Sequence, residues 1–265
     1  TNTFVEAKDI NAYTLVPKNK KYQKVKVEKI ELKDDLSDIA FYDEQKSYKF
    51  IYPAVQVGAI TNLSHQLIYK EPHFLGSFYW TNYIPMMESE LKVTVQKGIN
   101  IDYKFFNQDK IKVEFTKEEK KNETIYTWKA KYTDAIYQYS DAPDLRYYEP
   151  YLIFYIHNYE VEKKQKQLLG TPKDLYSWYY DLQKDINQKQ DVALKNIVDS
   201  LISGVNDETQ KVKNIFYWVQ DNISYVAFED GLGGFVPRDA AVVCSKKYGD
   251  CKDMASIVCE MLKLA

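Results

Sequence analysis

The residues that set out a recognisable chemistry lie together near the end of the chain, in Lys246-Lys247-Tyr248-Gly249-Asp250-Cys251-Lys252-Asp253-Met254-Ala255. Gly249 and Asp250 form a turn or helix-start signal. After them Met254, Ile257, Val258, Met261 and Leu262 recur at helical spacing. This pattern predicts Cys251 in the first turn of a helix that buries one face. Unpaired backbone N–H groups and the positive end of the helix dipole would act on its thiol there, and both favour thiolate. The thiolate is the nucleophile. The same N–H groups can hold the oxyanion formed when a thiolate attacks a carbonyl. The competing reading is packing, because most cysteines beside an apolar helical face are small buried hydrophobes.

The neighbours of Cys251 modify this chemistry. Asp250 reads as the helix cap. With Asp253 it favours the helix start but opposes thiolate formation. Arg238 and Lys252 are the cations available to offset that charge, with a solvated surface position as the default. Cys244 and Cys259 lack the paired spacing of a zinc site, so no metal is expected. The Gly231–Gly234 loop lacks the Lys and the strand–helix setting of a phosphate loop, so no cofactor is expected. Trp218 reads as buried helix packing.

A linked series of segments resembles bacterial transglutaminase-like proteins, a papain-like cysteine superfamily. Tyr248-Gly249-Asp250-Cys251-Lys252-Asp253 resembles the nucleophile motif. Phe216-Tyr217-Trp218-Val219-Gln220-Asp221-Asn222-Ile223-Ser224-Tyr225-Val226 is similar to the preceding helix and strand. Gly233-Gly234-Phe235-Val236-Pro237-Arg238 and Ala240 to Tyr248 are similar to the connection between them. The resemblance covers residues 207–265 and implies that Cys251 is catalytic. It also implies a His base and an Asp after the nucleophile helix. The chain ends at Ala265, about four helical turns past Cys251. The expectation is therefore a truncated domain, inactive as it stands. His65, His73 and His157 all fall in the strand region, and none matches the implied position of the base.

The elements that must position this stretch follow from the rest of the chain. Residues 1–160 read as strands. Leu91, Val93 and Val95 alternate with polar residues, as do Ile99, Ile101, Tyr103 and Phe105, then Ile111, Val113 and Phe115, then Tyr126, Trp128, Ala130 and Tyr132. Tyr22–Leu32, Tyr48–Tyr52 and Val55–Tyr69 fit the same scheme. Many strands without helical interludes predict an antiparallel β-sandwich. Phe50 to Ile60 and Tyr126-Thr127-Trp128-Lys129-Ala130 resemble the DUF3857 domain, commonly found before transglutaminase-like domains. That resemblance transfers no catalytic residue.

Residues 161–170, Lys- and Gln-rich, are expected as a linker. The period then changes. Thr171 caps a helix with Pro172 at its first position and a buried stripe of Leu175, Trp178, Tyr179, Leu182 and Ile186. A second helix carries Leu194, Ile197, Val198, Leu201 and Ile202 and stops near Gly204. A third begins near Asp207 and buries Val212, Ile215, Phe216 and Val219.

Composition sets outer bounds. The 265 residues can hold two domains, and a net charge of −2 gives no sign of nucleic acid or membrane partners. No run of about eighteen apolar residues is present for a transmembrane helix. Three cysteines cannot pair fully within one chain. The 24 Tyr, against 12 Phe and 4 Trp, suit half-buried strands, and also glycan or protein surfaces.

The reading is an α+β chain: a DUF3857-like antiparallel β-sandwich over 1–160, a linker over 161–170, and the helical half of a transglutaminase-like domain over 171–265. The expected function is a cysteine enzyme acting on amide bonds of a protein or peptide, by hydrolysis or by acyl transfer. The resemblance implies an extracytoplasmic setting. The alternative is a glycan- or protein-binding envelope protein whose thiol domain has lost activity.

Overall fold

The computed structural model describes residues 1–35, 42–43, 45–137, 139–229 and 231–265. The fold is mixed as predicted: strands dominate up to Gln167, and five α-helices follow among the described residues. The chain divides into two compact units. Residues 1–70 and 178–265 form one, and residues 71–177 form the other. This division is discontinuous in sequence, whereas the change of hydrophobic period near residue 171 suggests a single cut.

In the first unit, β1 (Val5–Lys18) pairs antiparallel with β2 (Lys21–Lys26) on one side. Asn19 and Lys20, both at positive φ, close that hairpin, the two-residue loop whose twist suits paired strands. Three short strands follow: β3 (Glu31–Asp34), β4 (Tyr42–Asp43) and β5 (Lys46–Lys49), with β3 antiparallel to β5. β6 (Ile60–Tyr69) pairs with the other side of β1.

The second unit is the antiparallel sandwich. One sheet holds β8 (Met86–Gln96), β10 (Glu114–Glu119) and β11 (Glu123–Thr133). The other centres on β12 (Tyr151–Val161), flanked by β7 (Ser77–Tyr79), β9 (Ile99–Phe106) and β13 (Lys164–Gln167). Trp80, Trp128, Ala130 and Leu152 are buried between them, with Leu91, Val93, Phe105 and Phe154 packed around. Much of the tyrosine content serves this architecture. Tyr151 lies opposite Tyr79 and Phe106 on its two neighbouring strands, and its ring stacks on both, at 5.1 and 4.7 Å.

Two strand expectations change. β13 lies inside the stretch expected as a linker. Glu162 and Lys163, both at positive φ, turn the chain back, and the Lys and Gln residues of β13 are exposed because this is an edge strand. In β11 the inward alternation stops at Ala130. Tyr132 takes φ 53° and points to solvent, 77% exposed, instead of continuing the buried face.

Aspartates and a threonine start three of the helices. For α1 (Pro172–Gln183), the Thr171 hydroxyl accepts from the Asp174 N–H, and the Asp174 carboxylate accepts from the Thr171 N–H at 2.7 Å. Asp191 caps α2 (Val192–Ile202) and Asp207 caps α3 (Glu208–Asn222). The stripe predicted for α1 is not buried: Leu175 and Tyr179 are exposed. Ile215 and Val219 of α3 are buried as expected, but Val212 and Phe216 are exposed. The short strand β14 (Ser224–Tyr225) follows α3, and β15 (Phe228–Glu229) runs parallel to β4.

Then come α4 (Ala240–Lys246), the two-residue strand β16 (Tyr248–Gly249) and α5 (Cys251–Leu264). Leu194, Val198, Ile215, Val219, Val243, Ile257 and Met261 meet in one core drawn from α2 to α5. Each of these side chains contributes about 1.5–3 kcal/mol by leaving water.

Candidate active site around Cys251

Cys251 is the first residue of α5, as its spacing predicts, and it is exposed. β16 delivers the chain to it. Tyr248 and Gly249 run parallel to Ser224 and Tyr225 of β14, joined through the Ser224 N–H to the Lys247 carbonyl and the Val226 N–H to the Gly249 carbonyl, both 2.9 Å. Asp250 then caps the helix. Its carboxylate accepts from the N–H groups of Lys252 (3.1 Å) and Asp253 (3.2 Å). The Asp253 carboxylate accepts from the Asp250 N–H at 3.2 Å, completing a capping box. Those caps take the second and third N–H of the helix. The N–H of Cys251 itself finds no acceptor among the described residues, so it can serve a ligand oxygen.

The buried face of α5 differs from the one predicted. Ile257 and Met261 are fully buried, but the stripe is completed by Asp253, not by Met254. Met254, Val258 and Leu262 are half-buried. Asp253 faces inward one turn before Ile257, and it is held there by Arg238. The Arg238 backbone N–H reaches Asp253 Oδ1 at 2.7 Å, and Nε and Nη2 reach Oδ2 at 3.0 and 2.7 Å. Nη2 also donates to the Tyr248 carbonyl at 3.1 Å, and the guanidinium lies 5.0 Å from the Tyr248 ring. Burial pushes the Asp253 carboxyl up. The Arg238 and Asp250 hydrogen bonds and the Arg238 charge outweigh it and hold the group below the usual carboxylate range. The Lys252 ammonium pairs with the Asp250 carboxylate. Neither Arg238 nor Lys252 is thus the solvated surface cation that sequence alone favours.

Gly249 is needed for a packing reason. A Cβ there would lie 2.7 Å from the Asp253 Cβ and 3.3 Å from Val243. Gly249→Ala is expected to cost about 1–3 kcal/mol, as an overpacked core site does. Urea unfolding checks this, and an unchanged midpoint would refute it.

Beside α5 runs a groove of about 810 Å³, between Phe216, Val219 and Tyr225 on one side and Met254, Ala255 and Val258 on the other. Cys251 stands three, four and seven residues before those last three, so the thiol and this wall share one helical face. Trp218 is half-buried against the core, with the Lys247 ammonium 4.7 Å from its ring.

The other candidate residues separate from this site. Cys244 is buried, and burial pushes its thiol up. Cys259 is exposed on α5. His73 pairs with Glu71, and His157 stands 3.7 Å from Asp102, both within the sandwich unit. His65 is exposed on β6. Among the described residues no imidazole is hydrogen-bonded to Cys251. No group of three or more His, Cys, Asp or Glu suited to a metal ion occurs among them.

Residues 195–265, which include most of the helical core and Cys251 at the head of α5, match the transglutaminase-like superfamily. Residues 2–137, just over half of the chain, match the domain of unknown function DUF3857, for which structures have been solved. The chain belongs to the DUF3857 family and continues into a transglutaminase-like domain. A crystal structure of a "putative protease" from Parabacteroides distasonis aligns with a TM-score of 0.68 at 18% identity, covering 99% of this chain and 49% of that one. A "putative cysteine protease" from Cytophaga hutchinsonii aligns with a TM-score of 0.25 at 13% identity, covering 71% of this chain and 62% of that one. No curated protein matches the sequence. The chain spans about half the length of the Parabacteroides structure, whose likeness supports the fold.

Proposed function

We propose that the protein is a cysteine enzyme of amide bonds, with Cys251 as nucleophile and a protein or peptide as substrate. The observation that carries this reading is the placement of Cys251: exposed, first in α5, with its own N–H unclaimed while the Asp250 cap takes the next two. The Parabacteroides structure, which is named a "putative protease", agrees with it. In the reaction the Cys251 thiolate adds to the amide carbonyl, and the oxyanion is held by the N–H of Cys251. The C–N bond then breaks, the amine leaves with a proton, and the acyl group stays on sulfur as a thioester. Attack by water releases a carboxylic acid, and attack by an amine releases a new amide. Either restores the thiolate. An imidazole base is what the superfamily resemblance implies for the proton transfers.

The test is to incubate the protein with peptide amides and look by mass spectrometry for an acyl group on Cys251 that hydroxylamine removes. Such an adduct supports the reading, and its partition between water and added amine distinguishes hydrolysis from acyl transfer. Turnover without any acyl-Cys251, or with an adduct on Cys259, would overturn it.

A further inference from the structure

We infer that Arg238 is a positioning residue for Cys251, acting through the buried Asp253 at the first turn of α5. The inference rests on the reading of Cys251 as the nucleophile and adds how its surroundings are held. Asp253 is two residues from Cys251 with a side chain only 3% exposed, and it accepts four hydrogen bonds, three of them from Arg238. The same guanidinium binds the carbonyl of Tyr248, in the strand that leads into Cys251. One side chain therefore ties together the strand before the thiol and the helix turn after it. On the other flank Lys252 pairs with Asp250. Cys251 thus sits between two carboxylates, each countered by one cation. A purely structural salt bridge would need only the Arg238–Asp253 contact. Here the fork also fixes the backbone on both sides of the thiol and cancels a negative charge that would oppose thiolate formation.

Other charged or titratable groups at this end of α5 are Lys247 at the end of α4, Tyr248 on β16, and Asp221 and Tyr225 across the groove. These stay constant in the test, which follows iodoacetamide alkylation against pH, resolved by site, with exposed Cys259 on the same helix as reference. Arg238→Ala is expected to move the half-maximal pH of Cys251 alkylation upward by about half to one pH unit, leaving Cys259 in place. Adding Asp253→Asn to that variant removes the uncancelled charge and should bring Cys251 back toward the wild-type profile. Arg238→Lys keeps the charge but not the fork, and should move the Cys251 midpoint less than Arg238→Ala does. If Arg238→Ala does not fold, Asp253→Asn alone carries the test: with Arg238 unopposed, the Cys251 midpoint should fall. An unchanged Cys251 profile, an equal shift at Cys259, or a double variant as shifted as the single would each overturn the inference. Alkylation is read whether or not Cys251 takes up an acyl group, so failure here is separable from failure of the thioester test.

Discussion

With the His base that the superfamily resemblance implies in place, Cys251→Ala is expected to lower amide turnover by at least about a thousandfold, because no neighbouring side chain can form the thioester in its stead. The fold should hardly register the change. Cys251 is exposed and makes no side-chain hydrogen bond among the described residues, and such surface substitutions usually stay within about 0.5 kcal/mol. The two other cysteines are the controls. Cys259→Ala removes an exposed thiol eight residues along the same helix and should leave turnover intact. Cys244→Ala removes a buried sulfur from the helical core and should lower stability while sparing the chemistry. Steady-state kinetics with urea titration of each variant checks this. Turnover in Cys251→Ala within tenfold of wild type would exclude it as the nucleophile.

The second large effect is on stability, and it depends on pH. Arg238→Ala leaves the buried Asp253 carboxylate without its counter-charge and without the two guanidinium hydrogen bonds, keeping only those of two backbone N–H groups. Breaking such a pair costs about 3–5 kcal/mol when both partners are buried. Arg238 is 33% exposed, so water can replace part of its contribution, and about 2–4 kcal/mol is expected at neutral pH. The folded-state value of Asp253 lies below its ordinary 3.8, so its pairing contributes in full above that value and is lost as pH falls through the lower, folded one. In the variant only the backbone N–H groups of residue 238 and Asp250 still oppose burial, so the carboxyl protonates at higher pH than in the wild type. The gap between the two proteins should therefore be widest near neutrality and close in acid. Urea unfolding at several pH values measures it, and a gap independent of pH would contradict the buried-pair account.

The sequence speaks clearly wherever a local rule governs. Thr171, Asp207 and Asp250 start their helices by short-range hydrogen bonds, so chain order suffices to find them. Cys251 at the head of α5 follows from the same turn signal. What escaped depends on contacts distant in sequence. Asp253 and Arg238 are fifteen residues apart, and nothing local says that they meet. A signal was present: Asp253 stands four residues before Ile257 and eight before Met261, so an acid on that stripe calls for a cation. α4 reads as a connection because its seven residues are too few to show a helical period. β8 and β9 alternate alike and are joined by two residues, yet they enter different sheets at Gly98 (φ 91°), which alternation cannot reveal. The strands of 1–70 and of 71–160 likewise look the same in sequence, although the first group shares a compact unit with the helices.

The most direct measurement of the central claim is the order in which the three thiols react. Iodoacetamide is added to the native protein, and each cysteine is followed by mass spectrometry over time at several pH values. Cys251 should label first, since it is exposed at the positive end of α5 with a free N–H beside it. Cys259, exposed but two turns further along, should follow. Cys244, buried and with its thiol pushed up, should label only as the protein unfolds. Labelling of Cys259 as fast as Cys251 across the whole pH range would contradict the assignment of Cys251 as the nucleophile.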